Sequence, residues 1–159
     1  MRKRCSTTTV IDTYAIDVNT TPDAAFAYVV DLTRHSEWSG GPLKVEALTP
    51  GPAAVGSLYR SQGDLPGSKD RVNELRVTQY RPPARFAFVA KDPTFGEVIH
   101  EFSFTPADGG TRVERTVTTV MSPLMAVMTK IMIHPLIGKP MMDRAMAKLK
   151  TALERSPAS

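Results

Sequence analysis

His100 and Arg115 are the residues whose type and setting best suit them to chemistry. His100 alternates with Val98, Phe102 and Phe104 in the run 97–105, and Arg115 stands between Val113 and Val117. In an extended strand, side chains two apart share a face, so each of these polar groups belongs to an otherwise apolar one. A histidine so placed can give or take a proton near neutral pH, and an arginine can pair with a carboxylate, a phosphate or an enolate. The same parity admits a plainer reading, in which His100 is a hydrogen-bonded core residue and Arg115 reaches solvent or lies near a strand end. Glu74 and Arg76 share a face with Val72 and Thr78. They read as cavity groups or, in preference, as a cross-strand charge pair.

Other constellations carry less. His35 precedes Ser36 and Glu37, but no glycine elbow surrounds a serine, which argues against a nucleophilic triad. His35, His100 and His134 match no metal-binding spacing, and no phosphate loop or cofactor fingerprint is present, so neither a metal nor a cofactor is expected. Lys and Arg number 20 against 16 Asp and Glu, a modest excess spread along the chain without an aromatic-basic run, and nucleic acid is not an expected partner. Cys5 is the only cysteine, which excludes an internal disulfide and makes a reduced cytoplasm the simplest location. No apolar run approaches the roughly 18 residues needed to span a bilayer, and no signal-peptide core follows the basic start.

A chain of 159 residues suits one domain, expected over 10–155 between a flexible tail at 1–9 and a short one at 156–159. Val10, Asp12, Tyr14, Ile16 and Val18 form one face of a first strand. Thr21 reads as an N-cap, Pro22 as the first helical residue and Asp23 as a favourable charge at the helix start, with Phe26, Val29 and Val30 on the buried side. A second short helical turn leads to Trp38, the only tryptophan, which reads mainly as a packing residue. Strands are expected at 43–48, 57–62, 71–80, 85–91, 97–105 and 111–121, separated by Gly/Pro turns at 39–42, 49–56, 63–68, 81–84, 92–96 and 106–110. Strand, two helices, six strands and a final helix make an α+β pattern with an antiparallel meander.

The last third divides in two. From Pro123 to Ile137 the chain is apolar on almost every side, as in a helix that touches apolar surroundings throughout. Pro135, Gly138 and Pro140 are expected to break or kink it. Beyond them Met142, Ala145, Met146, Leu149, Ala152 and Leu153 form one stripe, with charged residues on the other faces. Seven methionines fall between Met121 and Met146. Methionine packs into ordinary cores and also adapts to the irregular shapes of apolar ligands.

The segment DVNTTPDAAFAYVVDLTRHSEW at 17–38, the Tyr80-Arg81-Pro82-Pro83 turn, and Gly109-Gly110-Thr111-Arg112-Val113 opening the last strand resemble START-like (SRPBCC) proteins of the polyketide cyclase/dehydrase branch. The resemblance implies a helix-grip fold: a curved antiparallel seven-stranded sheet around a long C-terminal helix, with two short helices after the first strand and an apolar cavity between sheet and helix. It also implies binding or transport of a hydrophobic small molecule such as a polyketide, a fatty-acyl compound or an isoprenoid lipid. Expected ligand contacts are Trp38, Tyr59, Phe88, His100, Phe102, Arg115, Met128, Met132, Met142 and Met146. One alternative is a cyclase or dehydratase in which His100 or Arg115 assists enolization. Another is a surface role, not favoured, in which residues 124–137 lie on a subunit or on a membrane whose anionic headgroups meet Lys130 and Lys139. Parity tells which residues share a face and leaves open which face is concave.

Overall fold

The alternation of apolar and polar residues builds one sheet. The computed structural model describes residues 6–65 and 68–155. Residues 1–5, with Cys5, residues 66–67 and the expected tail at 156–159 lie outside the described residues. Seven strands follow one another in antiparallel order: β1 (Thr8–Val18), β2 (Leu43–Ala47), β3 (Leu58–Leu65), β4 (Ser68–Arg81), β5 (Arg85–Asp92), β6 (Gly96–Ala107) and β7 (Gly110–Met121). Their spatial order is β1-β7-β6-β5-β4-β3-β2, so the first two strands form opposite edges. Thr8 and Thr9, expected in the N-terminal tail, pair with Met121 and Val120 in β1 instead. The expected turn at 63–68 is shorter, since Leu65 pairs with Ser68. Residues whose amides complete a ladder stay in the strand even where glycine and proline are near.

The chain crosses from β1 to β2 through α1 (Pro22–Val30), a single 3₁₀ turn (Leu32–Arg34) and α2 (His35–Trp38). Thr21 Oγ1 accepts a hydrogen bond from the Ala24 amide at 3.2 Å, which caps α1 as its sequence requires. Phe26, Val29 and Val30 are buried, and Trp38 is wholly enclosed.

The concave face carries Leu75 and Val77 of β4, Phe86 and Phe88 of β5, Phe102 and Phe104 of β6, and Val113 and Arg115 of β7, all buried. Glu74 and Arg76 point the other way and are exposed, Glu74 opposite Arg60 and Lys91 in register. Their setting is a solvated convex face, so they are not cavity groups.

Helical structure runs without interruption from Pro123 to Arg155, through α3 (Pro123–Met128), a π-helical segment (Thr129–Gly138) and α4 (Lys139–Arg155). Of the break or kink expected at Pro135, Gly138 and Pro140, the break does not occur. A proline in a regular helix lacks the amide donor and presses its ring on the preceding turn; here the turn widens, and the Lys139 amide reaches the His134 carbonyl five residues back. His134 Nε2 also shares a 2.9 Å hydrogen bond with the Tyr14 hydroxyl, which ties this segment to β1. The outer side of α3 and of this segment is open: Leu124, Ile131 and Leu136 are 72%, 69% and 74% exposed. Among the described residues no helix is long and apolar enough to cross a membrane.

α4 closes the grip, with Ala145, Met146, Leu149 and Leu153 buried against the sheet. Its first turn lies against the chain at Gly40, where an added Cβ would stand 2.1 Å from the Met141 carbonyl oxygen and 2.7 Å from Met141 Cγ. Only glycine permits so close an approach of two backbones. Gly40→Ala is therefore expected to lower stability by about 1–3 kcal/mol, the usual cost of overpacking. The measurement is a lower urea midpoint at unchanged slope.

Candidate functional site

Where the N-terminal end of α4 passes the 39–42 loop and the β2–β4 edge, the grip stays open as a cleft of about 290 Å³. Leu43, Ala90, Val98, Met141, Met142 and Ala145 supply apolar wall. Polar groups enter the same cleft from His35, Arg71, Asn73, Asp92, His100 and Arg115.

Arg115 is the centre of this group. It is 4% exposed, because β7 carries it onto the concave face opposite Phe102 of β6 and Tyr14 of β1. Its guanidinium carbon lies 5.4 Å from the Trp38 ring centre and 5.3 Å from that of Phe102, so the charge rests between aromatic faces. Arg115 Nη2 meets His100 Nδ1 at 3.1 Å, while Nε is buried without a partner. Among the described residues no carboxylate forms an ion pair with it. Burial lowers its pKa to about 10, so the side chain remains a cation at neutral pH. A desolvated cation without a counter-charge is costly, and an anionic oxygen arriving beside it relieves that cost.

The two histidines beside it are neutral. His35 stacks on Trp38 with ring centres 4.0 Å apart, and His100 stacks on Phe88 at 4.8 Å. Burial, and after it the Arg115 charge, hold both imidazoles well below their ordinary value. A neutral histidine has one donor and one acceptor nitrogen, and at His100 the acceptor is Nδ1, which faces the fixed positive charge of Arg115.

At the other side of the cleft, Arg71 Nη2 donates to Asp92 Oδ1 at 2.6 Å and to Thr94 Oγ1 at 2.9 Å. Asp92 Oδ1 also accepts the Thr94 and Phe95 amides at 2.7 and 2.9 Å. This pair is 14% and 7% exposed and is charge-compensated, in contrast to Arg115.

Of the residues expected to touch a ligand, His100, Arg115 and Met142 come together in the cleft. Trp38, Phe88 and Phe102 lie in the core behind it, where they hold the rings and the guanidinium in place, and Tyr59 is buried beside Leu75. Met146 is also buried in the grip and borders a separate depression with Tyr14, His134 and Asp143. Met128 and Met132 are 43% and 57% exposed and do not line the cleft, because their helical segments pack only one side on β1. The sequence did not single out Arg71, Asn73 or Asp92, and it raised His35 only as a triad or metal candidate, which the spacing argued against. A signal for Arg71 and Asn73 was present, since they share parity with Leu75 and Val77, whereas Glu74 and Arg76 share theirs with Thr78.

The histidines make stability depend on pH. Below about pH 6.5 the unfolded chain takes up protons that the buried imidazoles refuse, so stability must fall as pH drops. The urea midpoint is expected to decline from about pH 7 to about pH 5, before most carboxylates titrate. In the double variant His35→Gln, His100→Gln that decline should flatten.

Comparison with known proteins agrees with this architecture. No curated protein matches the chain in sequence. The structure of truncated norcoclaurine synthase from Thalictrum flavum is similar at a TM-score of 0.73 and 12% identity, over 98% of this chain and 99% of that one. A Rhodobacter sphaeroides protein gives 0.67 at 21% identity, over 93% and 98%. A Chromobacterium violaceum protein gives 0.69 at 13%, over 92% and 99%. At such identities these likenesses concern the fold, which in all of them is the helix grip described above. The family described as polyketide cyclase/dehydrase and lipid transport matches residues 9–154, nearly the whole described domain, and this START-like (SRPBCC) chain belongs to it.

Proposed function

We propose that the protein binds a compact, mainly apolar small molecule that carries an acidic or enolic oxygen, and that Arg115 holds that oxygen. The observation that carries this reading is the buried guanidinium with no carboxylate partner among the described residues, in a cleft whose apolar wall is formed by Leu43, Ala90, Val98, Met141, Met142 and Ala145. The family supports hydrophobic ligands in general. The cleft volume of about 290 Å³ stands at the lower end of small-molecule sites, which favours a ring system over an extended acyl or isoprenoid chain. Apolar burial supplies affinity, and the charge-assisted hydrogen bond supplies orientation.

The test is displacement of anilinonaphthalene sulfonate fluorescence by naphthoic acid and by its methyl ester. The acid should compete more strongly, and Arg115→Met should weaken it by about thirtyfold or more, as expected for loss of a buried charge pair. The same variant should fold with equal or greater stability, since an apolar side chain replaces an uncompensated charge. Equal competition by acid and ester, or undiminished binding by Arg115→Met, would refute the anchoring role.

The 3.1 Å contact between His100 and Arg115 supports a second reading, as a cyclase or dehydratase. His100, whose Nδ1 accepts from Arg115 and whose Nε2 therefore carries the proton, would donate a hydrogen bond to a substrate carbonyl, and with Arg115 would stabilise the enolate oxygen that forms as water takes the proton from the neighbouring carbon. On a poly-β-ketone substrate, His100→Ala and Arg115→Ala should each abolish turnover with an unchanged circular dichroism spectrum. Full activity in both variants would dismiss this assignment.

A further inference from the structure

Buried polar groups that lack partners are rare in folded proteins, and each needs an explanation. Six side-chain atoms among the described residues are buried without a hydrogen bond, and four belong to residues of this one cleft: His35 Nδ1, Arg71 Nε, Asn73 Oδ1 and Arg115 Nε. Arg115 and His35 make up the end already described. Arg71 and Asn73 stand two residues apart on the concave side of β4, facing Gly63 and Ser61 of β3 in register.

The chemistry of this second end differs from the first. The Arg71 charge is met by Asp92 at 2.6 Å, so the site has no net attraction for an anion. Two groups there are buried without a partner, the donor Arg71 Nε and the acceptor Asn73 Oδ1, so a ligand reaches them by turning the two lining side chains. A neutral group that both accepts and donates satisfies the two together: a hydroxyl or a carboxamide. We infer that the cleft recognises a two-ended ligand, with an acidic oxygen at Arg115 and a hydroxyl or carboxamide at the Arg71–Asn73 pair, the apolar body lying between them against Val98, Met142 and Ala145. The proposal rests on the anchoring role of Arg115 and adds the class of ligand: hydroxylated or amidated compact acids rather than plain hydrophobic ones. Sites with unpaired polar groups discriminate strongly against analogues that leave them unpaired.

Calorimetric titration of the whole protein with naphthoic acid and with its set of ring-hydroxylated isomers tests this. At least one isomer should bind about tenfold or more tightly than the parent acid, the effect of a hydrogen bond to a charged donor. In Asn73→Leu the ratio of the two affinities should fall toward one. If the parent acid binds through Arg115 and no hydroxyl position adds affinity, the two-ended ligand is wrong and the anchoring role stands. A preference that survives in Asn73→Leu overturns the assignment to Asn73. If no acid binds at all, both readings fail.

Discussion

The structure depends on how α4 covers a sheet that is apolar on one side only. Seven strands present their concave residues to a single helix, and a stripe of four buried residues cannot cover all of that face. Coverage is tight toward Leu149 and Leu153, where α1 and the aromatic side chains of β5 and β6 complete the core. It is incomplete at the first turns of α4, where the helix is held close at Gly40 and the cleft opens beside that contact. A cleft is the direct result of one helix gripped by a wider sheet.

That incompletely covered region is where the polar residues of the concave face collect. Arg115 lies deep enough to lose its water, and Trp38 and Phe102 offer it ring faces in place of a counter-ion. Its charge then acts on its neighbours, helping to keep His35 and His100 neutral. Arg71 shows the alternative arrangement within the same cleft, a guanidinium neutralised by Asp92. One arginine is compensated and the other is not, so the two ends of the cleft differ in net charge.

Much of this was legible in order and parity. The capped start of α1, the strand alternation and the stripe on α4 follow from local rules, and residues 17–38 carry the family resemblance. His100 and Arg115 stood out because each is polar in an apolar row. The π-helical segment was not legible, since a wide turn around Pro135 competes with a break only when the flanking segments are held, here by the Tyr14–His134 hydrogen bond and the docking of α4. Met128 and Met132 read as cavity residues because the resemblance makes the long C-terminal helix one wall of the cavity, and the sequence does not show that the part before α4 leaves them exposed.

By itself, the sequence determined the succession of elements and which side chains share a face, because backbone geometry repeats every two residues in a strand and every 3.6 in a helix. Tertiary structure decided which face is concave, and so placed Arg71 and Asn73 inside and Glu74 and Arg76 outside. It also brought residues 35, 71, 100 and 115 into one cleft. The physical reason is that sheet curvature and the seat of α4 arise from packing between elements distant in the chain, and burial, loss of water and altered pKa follow from that packing.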